Sequence, residues 1–257
     1  MVIKKTPADI EKMRAAGSAV AKCLRDISEL IIPGKTTTQD IDIMAEELIL
    51  KYGGIGSFKN YRGYPNTVCV AVNEEVVHGI PGPRVLMHGD IVGIDLGIII
   101  DGWHGDSAIS IAVGGKTTPE ATALMKVTKE ALFKGIEQAR PGNRLSDIGH
   151  AIQSYVEKRG YSVVRDLVGH GIGRNLHEEP NVPNYGKPGK GVRLEEGMTL
   201  AIEPMVNIGS YEVETLKDNW TVVTKDRSLS AHFEHTVAIR KNGPDILTRL
   251  PGGGGLV

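Results

Sequence analysis

Residues 91–113 read IVGIDLGIIIDGWHGDSAISIAV, two runs of strand-forming composition on either side of Asp101-Gly102. Asp-Gly between apolar runs is a strong signal for a two-residue hairpin, because both turn positions must take positive φ. Such a turn pairs Ile100 with Trp103, and hence Gly97 with Asp106. Side chains alternate along a strand, so Asp95 shares the face of Gly97 and lies diagonally across from Asp106. The other face carries Val92, Ile94, Leu96, Ile98 and Ile100 and reads as core. The acidic face has Gly93 and Gly97 as neighbours, which leaves room for something between the strands. Two carboxylates placed this way repel each other and lose hydration, so a proton or a cation has to compensate.

The rest of the chain alternates helix and strand signals. Thr6-Pro7-Ala8-Asp9 combines an N-cap, a proline at the first helical position and an acid in the first turn, and predicts a helix running to Ile31-Ile32 before Pro33-Gly34. Further helices are expected at about 39–51, 118–139 and 146–159. Strand-like runs lie at 67–72, 91–100, 103–113, 198–202, 220–224 and 233–239. The fold class is therefore α+β with hairpins. PGKTTTQDIDIMAEELILKYG (33–53) also aligns with PGNRLSDIGHAIQSYVEKRG (141–160) across one gap, matching Asp40 to Asp147, Ile41 to Ile148, Lys51 to Lys158 and Gly53 to Gly160 at an offset of 107. Two related halves, about 1–115 and 116–250, would face each other across a cleft to which each contributes ligands. The expectation is one catalytic domain over 1–257, with a flexible Gly-rich tail at 251–257.

The second half supplies matching acids. Glu203 ends the run Thr199-Leu-Ala-Ile-Glu203, close to the repeat offset from Asp95, and Glu234 is read as lying on the strand AHFEHTVAI. GHGIGRNLHEEP (169–180) could be a phosphate loop, but its GxGxG spacing and early Pro180 fit a dinucleotide fingerprint poorly. Its histidines suit a metal or proton-transfer site, with the glycines letting the backbone turn tightly beside it. Four carboxylates and the imidazole of His170 suit two hard or borderline divalent ions.

Composition removes other classes. A formal charge of −1 with interspersed signs supplies no field for nucleic acid or an anionic membrane. The N-terminus turns polar at once and no 18-residue apolar run occurs, so a soluble chain is expected. With only Cys23 and Cys69, a disulfide framework is excluded and a cytoplasmic setting is expected.

Five motifs in order, NTVCVAVNEEVVHGIP (66–81), GIDLGIIIDGWHGDSA (93–108), GHGIGRNLHEEP, IEPM (202–205) and DNWTVVTKDRSLSAHFEHT (218–236), resemble the bacterial-type type I methionine aminopeptidases of the pita-bread fold. That resemblance implies two pseudo-symmetric halves around a central antiparallel sheet. It implies that Asp95, Asp106, His170, Glu203 and Glu234 bind two divalent ions, of Co, Mn, Fe or Zn. It gives Glu203 the role of general base, His78 contact with the substrate near the scissile amide nitrogen, and His177 stabilisation of the carbonyl oxygen. It further implies a methionine side-chain pocket drawn from Tyr61, Tyr64, Cys69, His78 and Trp220, with Phe58 and Leu176 as additional lining. The substrates would be N-terminal Met peptides and nascent chains with a small second residue, met near the ribosome by a monomer. Two other readings stand beside it: a proline dipeptidase or creatinase-like hydrolase, and a non-enzymatic relative. The former usually carries an extra N-terminal domain; the latter has lost ligands that are all present here.

Overall fold

The computed structural model describes residues 2–250 and Gly252; apart from Gly252, the tail expected to be flexible at 251–257 lies outside the described residues. Four α-helices and fifteen strands are found among them. The helices are α1 (Pro7–Leu30), α2 (Thr38–Lys51), α3 (Pro119–Ile136) and α4 (Leu145–Glu157). Thr6 caps α1 in a capping box with Asp9, and Thr37 does the same for α2 with Asp40, so the ends follow from local chemistry.

A four-stranded sheet contains β1 (Ile55–Gly56), β2 (Cys69–Val72), β4 (Ile91–Ile100) and β5 (Trp103–Ala112). A five-stranded sheet contains β7 (Gly169–Gly171), β8 (Glu178–Val182), β9 (Thr199–Ile202), β14 (His235–Arg240) and β15 (Gly243–Ile246). Two three-stranded sheets hold β3 (Glu75–Val77), β11 (Val213–Thr215) and β12 (Val222–Thr224), and β6 (Ser162–Val163), β10 (Met205–Asn207) and β13 (Ser230–His232). Every pairing among these strands is antiparallel. The hairpin has the expected register, Ile100 opposite Trp103 and Gly97 opposite Asp106.

The central layer is divided. Where β5 meets β14, side chains replace a backbone ladder: Asp106 N donates to Thr236 Oγ1 at 3.0 Å, and Thr236 Oγ1 donates to Asp106 O at 2.8 Å. Ser107 Oγ donates to Glu234 O, and Glu234 N to Ala108 O. The two large sheets are thus joined at the acids.

Helix α1 lies close against β5. A Cβ on Gly105 would sit 2.6 Å from Gly17 N, so glycine on both elements permits this approach. The apolar face of β4 (Val92, Ile94, Leu96, Ile98) is fully buried beneath α1 and α2 residues such as Val20, Leu24, Ile27 and Ile41. The repeat-matched positions make matched bonds. Thr37 N donates to Asp40 Oδ2 and Arg144 N to Asp147 Oδ2, both at 2.7 Å. Isolated bridges join Thr37 to Val85 and Arg144 to Arg193, and Thr38 N and Leu145 N donate to Arg84 O and Val192 O at 2.9 Å. No helix of the described residues is long and apolar enough to cross a membrane.

Candidate metal centre and its pocket

A cavity of about 140 Å³ is lined by all thirteen side chains singled out in the sequence, together with Arg62. That volume accommodates one apolar group about the size of benzene. A larger hollow of about 780 Å³, between α1, the end of α3 and residues 244–250, has no histidine in its lining, and its Asp245 and Glu11 are paired with Arg14.

Each acid reaches the cavity from a strand or its end. Asp95 and Asp106 project from the hairpin. Glu203 follows β9, its carbonyl held by Asn184 Nδ2 at 3.0 Å. Glu234 is not on a strand as expected: residues 233–234 interrupt the run between β13 and β14, because Glu234 N is turned to Ala108 O on the neighbouring sheet. His170 is the middle residue of β7, and the expected tight turn at its glycines is absent. Gly169 and Gly171 are extended strand residues, and each would put a Cβ 2.3 Å from a carbonyl, of Ala201 or Glu179, so close packing demands them. Gly97 leaves space for Ser57 and Phe58, whose atoms would lie 2.7 and 2.8 Å from a Cβ there, so the gap is filled by pocket wall.

The acids have too few partners. Asp95 Oδ1, Asp106 Oδ1 and Glu234 Oε1 are buried without a hydrogen bond, and no lysine or arginine pairs with any of the four among the described residues. His170 Nε2 lies 3.6 Å from Glu203 Oε1 and 4.0 Å from Asp106 Oδ2. Potential ligand atoms of Asp106, His170 and Glu234 fall within 4.8 Å of one another. Burial pushes Asp95 up to about 7. Asp106 is raised well above its ordinary value by burial and by Asp95; Glu203 and Glu234 are raised by burial and by the neighbouring acids. His170 is lowered to about 4 by desolvation. Its Nδ1 bonds Gly171 O at 2.8 Å, which assigns the proton to Nδ1 and leaves the Nε2 lone pair facing the acids. Crowded, uncompensated carboxylates and an unprotonated imidazole fit a multivalent cation.

The pocket walls are aromatic. Tyr64 OH donates to Val68 O and Gly79 O, and the ring meets Trp220 edge-on at 5.1 Å. Cys69 is buried opposite Asp95 on β2. His78, at φ 58, meets the Trp220 ring at 6.4 Å and is lowered from its ordinary pKa by burial. His177 is exposed at the mouth, stacked on Tyr61 at 5.2 Å, with its Nδ1 2.9 Å from Tyr61 OH. Desolvation, His170 and Arg62 together hold its pKa low. Leu176 is buried beside it. Beneath this loop Lys5 Nζ meets Glu178 Oε2 at 2.5 Å, both side chains nearly inaccessible.

Three neighbours were not read from the sequence. Arg62 lines the cavity. Buried His232 places an unpartnered Nε2 3.8 Å from Glu203 Oε2. Thr236 ties Asp106 to the second sheet. A period-two reading from Glu234 points to His232 and Thr236; no sequence signal marks Arg62.

An α+β scaffold that concentrates four acids and an imidazole under a one-side-chain cavity defines a metal-dependent hydrolase. The chain belongs to Metallopeptidase family M24, whose profile matches residues 11–241, and has the pita-bread fold. It is 54% identical over 250 residues to methionine aminopeptidase 1 of Bacillus subtilis, covering 97% of this chain and 100% of that protein. It is 55% identical over 249 residues to the methionine aminopeptidase of Clostridium acetobutylicum, covering 96% and 99%. The methionine aminopeptidase structure from Thermotoga maritima superposes with a TM-score of 0.94 at 49% identity, covering 96% of this chain and 99% of that one. A prolidase from Pyrococcus horikoshii, at 23% identity and a TM-score of 0.77 over 64% of its own length, shares the fold.

Proposed function

We propose that this metallopeptidase removes the N-terminal methionine from peptides and nascent proteins, favouring a small second residue. The observation that carries the reading is a cavity of about 140 Å³ whose wall joins aromatic and apolar side chains to four carboxylates, those of Asp106 and Glu234 buried and those of Asp95 and Glu203 half-buried. One apolar side chain can enter, and the same wall meets its free α-amino group. The carboxylates favour that cationic end, which restricts cleavage to the first peptide bond.

In this reading Asp95, Asp106, His170, Glu203 and Glu234 hold two divalent ions, with Mn, Fe, Co and Zn all compatible with the oxygen and nitrogen donors. When bound, such ions supply Lewis acidity, polarising the amide carbonyl and making water nucleophilic near neutral pH. Glu203 accepts the proton from the attacking water and delivers it to the departing amine nitrogen. Tyr61 OH lies 2.9 Å from His177 Nδ1; in this reading the hydroxyl is the donor, which puts the His177 proton on Nε2 and makes that atom a donor to the developing oxyanion. His78 contacts the scissile nitrogen. Phe58, Tyr64, Cys69, Leu176 and Trp220 enclose the methionine side chain, while a bulky second residue collides with the rim at His78 and His177.

The matched bonds at Thr37 and Arg144 support a single catalytic domain built from two related halves. A cytoplasmic monomer acting on chains near the ribosome suits this role. Met-Ala-Ser and an Xaa-Pro dipeptide, assayed side by side with and without chelator, test the reading. Metal-dependent release of methionine alone is expected; cleavage of the Xaa-Pro bond instead would favour the dipeptidase reading, and full turnover without metal would overturn the centre.

A further inference from the structure

We propose that a groove adjoining the catalytic pocket is a subsite for acidic side chains at the third or fourth residue of the substrate, with Arg62 reading the charge. This rests on the exopeptidase reading above. The groove, of about 450 Å³, shares Tyr61, Leu176 and His177 with the catalytic cavity. A chain leaving the scissile carbonyl past His177 therefore enters it directly. Each extended residue advances about 3.3–3.6 Å, so the third and fourth residues are the first to lie clear of the rim.

The two hollows differ in charge. The catalytic cavity contains four carboxylates, whereas the groove lining contains none and presents Lys59, Arg174 and buried His104. Two of the surrounding cations are engaged: Lys59 Nζ lies 3.0 Å from Glu46 Oε1, and the Arg174 guanidinium lies 4.3 Å from the centre of the Trp103 ring. Arg62 forms no ion pair among the described residues and lies 5.4 Å from the Tyr61 ring. It is exposed, at φ 52, in a backbone region that non-glycine residues seldom occupy and that gathers at ligand clamps. Its turn is well held: Asn60 N donates to Tyr64 O at 2.8 Å and Tyr61 N to Phe58 O at 2.8 Å. Arg62 thus carries no ion pair among the described residues and sits on a fixed turn in the wall of the catalytic cavity, next to Tyr61, which lines both hollows.

The test uses metal-loaded protein and the peptide series Met-Ala-Xaa-Gly and Met-Ala-Gly-Xaa, with Xaa as Glu, Gln or Lys. At low salt, Glu should exceed Lys in kcat/KM by about three- to tenfold, carried mainly by KM, as an exposed charge contact allows. At about 0.3 M salt, where screening acts within ~6 Å, the preference should shrink. Arg62→Asn, a residue that tolerates the left-handed backbone, should abolish most of it, and Arg62→Glu should reverse it. Equal kcat/KM for Glu and Lys at low salt, or a preference that survives Arg62→Asn, would overturn the groove assignment and direct the peptide past His78 and Trp220. Failure to release methionine from neutral Met-Ala-Gly-Gly would bring down the exopeptidase reading and the groove with it; intact turnover without charge preference removes the groove alone.

Discussion

Stripping divalent ions and raising the pH from about 6.5 to 8 should destabilise the fold, with the loss traceable to the four acids. Asp95 is pushed up to about 7, and Asp106, Glu203 and Glu234 are raised by burial and mutual repulsion. A carboxyl whose folded pKa is raised keeps a proton that the unfolded chain releases near pH 4. Its stabilisation is present at low pH and disappears as pH climbs to the folded value. The buried histidines act in the opposite sense: His170 is lowered to about 4, and His232 and His235 to about 3, all by desolvation. Their stabilisation is complete above about pH 6.5 and is lost as pH falls below it. The two sets oppose each other between about pH 4 and 6.5, and above that only the acids remain. Each acid still protonated contributes a slope of about 1.4 kcal/mol per pH unit until it ionises, so Asp95 contributes up to about pH 7 and the acids raised well above their ordinary values carry the loss further. For a chain of this size each such proton lowers Tm by about 3–6 °C per pH unit. Bound divalent ions compensate the ionised acids and should flatten the slope while raising Tm. Calorimetry on chelated and metal-loaded samples measures both curves, and Glu234→Gln should reduce the chelated slope. A chelated Tm that stays level or rises across the window would refute the reasoning.

Glu203→Gln keeps the shape but cannot accept a proton; at saturating metal with verified stoichiometry, kcat should fall by at least about 10²-fold. Recovery to near wild type would leave Glu203 as a ligand only. His177→Ala should lower kcat by roughly 10²-fold with metal content unchanged, as removal of an oxyanion donor does; loss of metal in that variant would move His177 into the ligand set. Gly97→Ala sets a methyl 2.8 Å from Phe58 Cε1, and the displaced ring should raise KM for methionyl peptides more than it lowers kcat. An unchanged KM would show that Phe58 does not shape the pocket.

The hairpin is legible from sequence because its turn chemistry, alternation and register are all local. The convergence of Asp95 and Asp106 follows from pairing Gly97 with Asp106. The helix starts are legible for the same reason, since Thr6 and Thr37 cap within three residues of themselves. Glu234 resists such a reading: its backbone is drawn out of the strand by Ala108, 126 positions earlier in the chain. The glycines of GHGIG suggest a turn but serve strand packing, a distinction that depends on Ala201 and Glu179 as neighbours. β6 and β7 are two and three residues long, too short for periodicity to register. Arg62 reads as an ordinary surface cation until the fold sets it beside His177.

The buried Lys5–Glu178 pair bears on how this protein can be re-engineered. Lys5 N also donates to Gly197 O, and a Cβ on Gly173 would lie 2.5 Å from Lys5 Cε, so the leading segment is threaded behind the loop that presents His177. Removing residues 1–6 in a shortened variant would strand Glu178 as a buried, unpaired charge, a defect of about 3–5 kcal/mol sited one residue from the proposed oxyanion donor. The dispensable-looking leader is therefore a structural strut of the catalytic loop. Added sequence belongs ahead of Val2, and a minimal version of the scaffold has to retain it.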